Sequence, residues 1–132
     1  MNEKRHLLKL AMKSLPYLKK KAQKAFNDYI RFRDHGENCI SCKTSLGQHY
    51  HAGHFFSVGA HPSVRFDEDN VWGSCVKCNT FLHGNLVPFK ENLIKKIGIG
   101  RFNALEKRAN TILQRKKLDY IYIILKYKNL KN

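Results

Sequence analysis

The sequence predicts an α+β protein: a small cysteine-pinned core set between N-terminal and C-terminal helices. Three observations lead there. Four cysteines form two CxxC pairs, Cys39–Cys42 and Cys75–Cys78, with none left over. Apolar residues recur at helical spacing on both sides of that region. The stretch between the flanks is rich in loop formers and holds most of the histidines and the lone Trp72. A chain of 132 residues suits one domain with a modest core, so a structural ion would help it fold. Its expected parts are a basic helical segment over 1–36, a metal-stabilised core over 37–86, and helices over 87–132 that pack on the core.

Taken in order, residues 1–13 are basic and read as a loose end. Ser14 suits an N-cap, and Pro16 fits a first helical turn. Leu15, Leu18, Ala22, Ala25, Phe26, Tyr29 and Ile30 then recur at three- and four-residue steps, predicting a helix. Gly36, after Asp34-His35, ends it. In the centre, short strands are expected around His49–Phe55 and Val64–Phe66, separated by the loop Gly59-Ala60-His61-Pro62-Ser63. A helix should begin near Cys78 and break around Gly84. Another should follow Pro88, with Phe89, Leu93, Ile94 and Ile97 on one face and Gly98 and Gly100 stopping it. A short helix over Arg101–Arg108 and an Ile/Tyr-rich helix over Leu118–Lys128 complete the chain.

The cysteine spacing is C-x2-C, thirty-two residues, then C-x2-C. Each pair lets a tight turn present two sulfurs to one ion. Two such knuckles complete a tetrahedral four-cysteine shell, which predicts structural zinc at Cys39, Cys42, Cys75 and Cys78. A closed shell has no position for a reactive water, so any catalysis needs a second site. An iron–sulfur cluster and a redox pair are the competing readings. The first usually shows other spacings, and the second does not need two matched pairs.

Lys and Arg number 25 against 10 Asp and Glu, a formal charge of +15. That excess points to a polyanionic partner, nucleic acid before a membrane surface. No segment has the roughly 18 uninterrupted apolar residues of a spanning helix. The MNEKRH start lacks an apolar signal core, so an intracellular protein without a membrane partner is expected.

The cysteines leave a polar set unexplained. His54 lies in His51-Ala52-Gly53-His54-Phe55, Asn70 precedes the second knuckle, and Asn79 follows it directly. His83 comes four residues later, which on a helix would share a face with Asn79. His6, His35 and His61 are read as surface or core-edge residues. A knuckle, a hairpin carrying a histidine, a second knuckle and a helix carrying polar ligands resemble the HNH endonuclease superfamily. That resemblance implies a treble-clef, ββα-metal core. The ordered set of Tyr29–Asp34, Cys39–Cys42, Ala52–Phe55, Arg65–Asn70, Cys75–Asn79, Gly84-Asn85 and Leu93–Gly98 is similar to the NinG (Rap) family of phage recombination proteins. That likeness implies structure-specific cleavage of branched DNA, including Holliday junctions and D-loops, inside a bacterial host.

The resemblance and the residue chemistry give matching roles. His54 would be the general base that activates water. One Mg2+ or Mn2+ ion would relieve charge at the phosphate and leaving oxygen, held by Asn79 and His83. Asn70 would brace the hairpin loop. Many HNH enzymes carry Asp just before the base, whereas Gly53 stands here. His51 could replace that ligand if the strand bends at Ala52-Gly53, and Asp67 and Asp69 are reserves. Lys43, Arg65, Lys77 and Lys90 are the first choices for phosphate contact. Lys19, Lys20, Lys21, Arg31, Arg33, Lys95, Lys96 and Arg101 would widen the footprint. A homodimer through the C-terminal Ile/Tyr helix would suit cutting of two symmetric strands. The alternative is a non-catalytic, zinc-stabilised nucleic-acid-binding module. It needs the cysteines and the charge but not His54, Asn79 and His83.

Overall fold

The structure, a computed structural model, describes residues 2–130. The chain forms two compact units, Met1–Tyr29 with Gln114–Asn132, and Ile30–Leu113.

The first unit is helical. Helix α1, Glu3–Ala11, occupies the stretch expected to be loose. Asn2 caps it by accepting from the Arg5 N–H at 2.9 Å, and Glu3 complements the helix dipole. Helix α2 runs Leu15–Arg33, with the Ser14 hydroxyl accepting from the Tyr17 N–H. Its row Leu18, Ala22 and Phe26 is fully buried. The last helix, Lys117–Leu130, buries Tyr120, Ile121, Ile124 and Tyr127. Tyr127 packs edge-on against Phe26, with ring centres 4.9 Å apart, and also meets Tyr29. The Ile/Tyr face expected to make a dimer is therefore already buried within its own chain.

The second unit holds the sheet. Strands β1, Tyr50–His54, and β2, Val71–Cys75, pair antiparallel with Tyr50 opposite Cys75, His51 opposite Ser74 and Gly53 opposite Trp72. The second strand is thus not Val64–Phe66. Pro62–Val64 forms a 3-10 turn instead, in which the N–H groups of Val64 and Arg65 bond back to His61 and Pro62. Val64 and Phe66 are buried, so the apolar signal there reflects core packing rather than strand period. A π-helical turn, Lys77–Phe81, follows β2. Helices α3, Leu86–Ile97, and α4, Ile99–Ala109, come next, parted by Gly98 at φ +87°. The helix over Lys117–Leu130 is α5. The unit's core joins Ile40, Val64, Trp72, Phe89, Leu93, Phe102 and Leu105.

Candidate functional site

The sulfurs of Cys39, Cys42, Cys75 and Cys78 lie within 4.8 Å of one another and could hold a metal ion such as zinc. Four sulfurs about 2.3 Å from a tetrahedral zinc stand roughly 3.8 Å apart. The Cys42 and Cys75 sulfurs are 3.7 Å apart. Backbone and side-chain donors already face the sulfurs. The Cys75 N–H donates to Cys39 at 3.3 Å, the Cys78 N–H to Cys75 at 3.4 Å, and the Asn85 amide to Cys78 at 3.4 Å. The Thr44 hydroxyl holds the Cys42 thiol down to about 6, while burial pushes the Cys78 thiol up to about 12. A divalent cation would offset the thiolate charge that burial penalises at Cys78.

Beside this centre, the π-turn places Asn79 against β1. The Asn79 amide nitrogen lies 2.8 Å from His51 Nδ1. A Cβ at Gly53 would stand 2.9 Å from Ser74 Cβ and 3.2 Å from Asn79 Oδ1. No ordinary side chain fits there without displacing β2. Gly53 is thus a close-approach glycine: the space an aspartate would need is already occupied by Ser74 and Asn79. Ser74 is fully buried, and its hydroxyl has no hydrogen-bond partner among the described residues.

His54 belongs to a different environment. Pairing of β1 is continuous from Tyr50 to His54, so the strand does not bend at Ala52-Gly53. His51 and Gly53 therefore share one face and His54 takes the other. The His54 Nε2–H donates to the Arg65 carbonyl at 3.0 Å. That bond leaves Nδ1 as the proton acceptor. Burial lowers the His54 pKa, and the Arg65 carbonyl bond opposes this only in part. Asn70 is fully buried: its oxygen accepts from the Phe56 N–H at 2.8 Å, and its nitrogen donates to the carbonyls of Phe56 and Val64. It ties both ends of the loop that leads from His54 towards Arg65.

His83 is exposed and sits beyond the π-turn with a left-handed φ of +51°. The helix expected to align it with Asn79 stops first, because Gly84 and Asn85 reverse the chain at φ +95° and +48°. Asp67 and Asp69 are engaged elsewhere: Arg108 pairs with Asp67 at 2.7 Å, and Arg101 pairs with Asp69. Arg33, expected at a phosphate, is committed internally. It pairs with Asp34, donates to the carbonyls of Glu68 and Val71, and stacks over Trp72. Lys43, Lys77 and Lys90 are exposed, and Arg65 is half-buried over the Phe66 ring.

Several supporting residues have no sequence signal of their own. Thr44, Asn85 and Ser74 do not belong to any metal-spacing pattern. Asn92 on α3 donates to the carbonyls of Ile40 and Ser41, bracing the first knuckle from about fifty positions away in the chain. Of these four, Asn85 alone lies in a stretch that carries the family likeness, Gly84-Asn85.

Fold and site together define a mixed α+β protein in which a four-cysteine centre, able to hold a metal ion, anchors a two-stranded sheet and a polar cluster. The family model described as Bacteriophage Lambda NinG protein matches residues 2–132, and the chain belongs to that family. It is 43% identical over 104 residues to Protein ninG of Salmonella phage P22, covering 79% of this chain and 51% of that protein. Protein ninG of Escherichia phage lambda is 41% identical over 108 residues, covering 82% of this chain and 53% of that protein. Protein ninG of Escherichia phage 933W is 42% identical over 108 residues, covering 82% and 54%. The chain spans about half the length of the curated relatives it matches. No solved structure matches it. Among the described residues, no helix is long and apolar enough to cross a membrane.

Proposed function

We propose that this chain is a metal-dependent, structure-selective DNA endonuclease of HNH type, acting on branched DNA. One observation carries the reading: His54 is held by the Arg65 carbonyl in the tautomer that leaves Nδ1 free, and burial favours the neutral ring by lowering its pKa. A general base requires both features, a free ring nitrogen and an uncharged ring. Asn79, His51 and His83 are the residues that would hold a divalent ion of the Mg2+ or Mn2+ class. Such an ion supplies charge relief at the phosphate and leaving oxygen. The amide oxygen of Asn79 suits a hard cation, and His51 would exchange its bond to Asn79 for the ion. His54 takes a proton from water on the opposite strand face. In-line displacement puts attacking and leaving oxygens on opposite sides of one phosphorus, so His54 and the ion-holding residues would have to reach the same phosphate from its two sides. The four cysteines would serve as a structural zinc clamp that fixes β1 and the π-turn in register. Lys43, Lys77 and Lys90 would contact phosphates.

The non-catalytic nucleic-acid-binding module has one observation in its favour. Among the described residues, the cysteines are the only group of three or more His, Cys, Asp or Glu side chains gathered at ligand distance. One experiment separates the two: labelled four-way junction is incubated with wild type and His54→Ala, with Mg2+, with Mn2+ and without either. Wild type should cut only with added metal. His54→Ala should lose about 10²- to 10⁴-fold of the rate with zinc and junction binding retained. The acid limb of the wild-type rate should lie below the ordinary histidine pKa of 6.5, because the base works only when neutral. Equal cutting by both proteins rejects His54 as base, and tight junction binding without cutting selects the binding module.

A further inference from the structure

The segment that carries Asn79 also carries an apolar surface the proposed chemistry does not use. Phe81 is 71% exposed and Val87 76%, and Val76, Leu82 and Leu86 are exposed beside them in the sequence. This surface is held rigidly. The π-turn is followed by three successive left-handed residues, His83, Gly84 and Asn85, two of them not glycine. Such a reversal persists only when its surroundings enforce it. Here the enforcement comes from the cysteine centre. The Gly84 N–H donates to the Cys78 carbonyl at 2.8 Å, the Ser41 hydroxyl to the Gly84 carbonyl at 3.2 Å, and the Asn85 amide to the Cys78 sulfur. The Asn85 N–H closes the tip onto the Leu82 carbonyl at 2.8 Å. A strained, hydrogen-bonded turn that presents apolar side chains to water is shaped for a partner.

We infer that the Phe81–Leu82 tip is a wedge that seats against the uncovered base faces of a DNA branch point. The inference rests on the proposed branched-DNA reading. Charge selects the partner: Lys77 lies in the same turn, and the chain carries +15, which disfavours an ordinary apolar protein surface and favours a polyanion. Chemistry selects the place on that polyanion. Bases of a linear duplex cover one another, while a branch point leaves flat faces on which an aromatic ring stacks. Shape selectivity then needs no base-reading helix. The wedge stands next to Asn79 and His83 in the chain, so seating it would set which phosphate meets the cutting residues.

The test uses the zinc-loaded chain without added Mg2+ or Mn2+. A four-way junction with 2-aminopurine at the branch point is titrated against linear duplex of the same sequence. Wild type should prefer the junction and change the 2-aminopurine fluorescence. Phe81→Ala with Leu82→Ala should lower that preference about ten-fold or more and abolish the change, with zinc retained. Phe81→Trp, which keeps a stacking ring, should preserve both. An unchanged preference in the alanine variant overturns the wedge. So does a wild type without preference, or an alanine variant whose light-scattering mass drops from dimer to monomer. The cutting assay is read separately. A chain that prefers junctions through Phe81 but never cuts removes the nuclease reading and keeps the wedge. Cutting through His54 with preference independent of Phe81 does the reverse.

Discussion

The two units of the chain reach stability by different means. In Met1–Tyr29 with Gln114–Asn132, three helices bury Leu18, Ala22, Phe26, Ile124 and Tyr127, with little buried polarity. In Ile30–Leu113, the chain also buries Asp34, Ser41, Asn70 and Ser74, and packs Cys39, Cys75 and Cys78 with Leu46 and Tyr50. Buried polar groups stabilise little and cost much when unpaired. Asn70 and Asp34 are satisfied, whereas the Ser74 hydroxyl is not. The helical unit is thus organised for packing alone. The sheet-bearing unit adds buried polar groups to an apolar core of its own, and its candidate site lies where that polarity is concentrated.

That contrast can be broken at either side. Its largest expected effect is Cys75→Ala. Structural zinc in small domains contributes on the order of 10 kcal/mol, so this variant should lose zinc and cooperative unfolding of the second unit. Stoichiometric metal and circular dichroism check it; a folded variant with full zinc would count against the four-sulfur centre. Next is Phe26→Ala, fully buried in the helical unit, expected to cost about 3–5 kcal/mol in urea denaturation with zinc content unchanged. Loss of zinc in that variant would mean that the two units do not have separate supports. Smallest is Gly53→Asp, which supplies the carboxylate many HNH enzymes place there. It should lower stability by about 1–3 kcal/mol through its clash with Ser74, and it should not tighten Mn2+ binding. Tighter Mn2+ binding would mean that the space is available after all. Combining it with Ser74→Gly should recover part of the loss.

Legibility in the sequence followed the range of the interactions. Helix α2, its Ser14 cap and the Gly98 break are local matters, and spacing with Gly and Pro placement revealed them. The cysteine centre was readable because the geometry of each knuckle is also local, although the two knuckles are far apart in the chain. Val64–Phe66 misled because burial and alternation look alike over three residues. The role of Arg33 was hidden: a basic run reads as a phosphate contact until Asp34, Val71 and Trp72 are known to surround it. Gly53 was legible as a departure but not as a fit, since its reason lies across the sheet at Ser74 and Asn79. The end of the helical turn before His83 depended on three left-handed residues, only one of which is glycine.

The most direct test of this two-part account is amide hydrogen exchange on the whole chain, before and after zinc is stripped by a chelator. Protection should collapse across Tyr50–His54, Val71–Cys75 and the π-turn, while the buried faces of α1, α5 and the first turns of α2 keep theirs. Exchange that rises together throughout the chain, or that does not rise in the sheet, would contradict it.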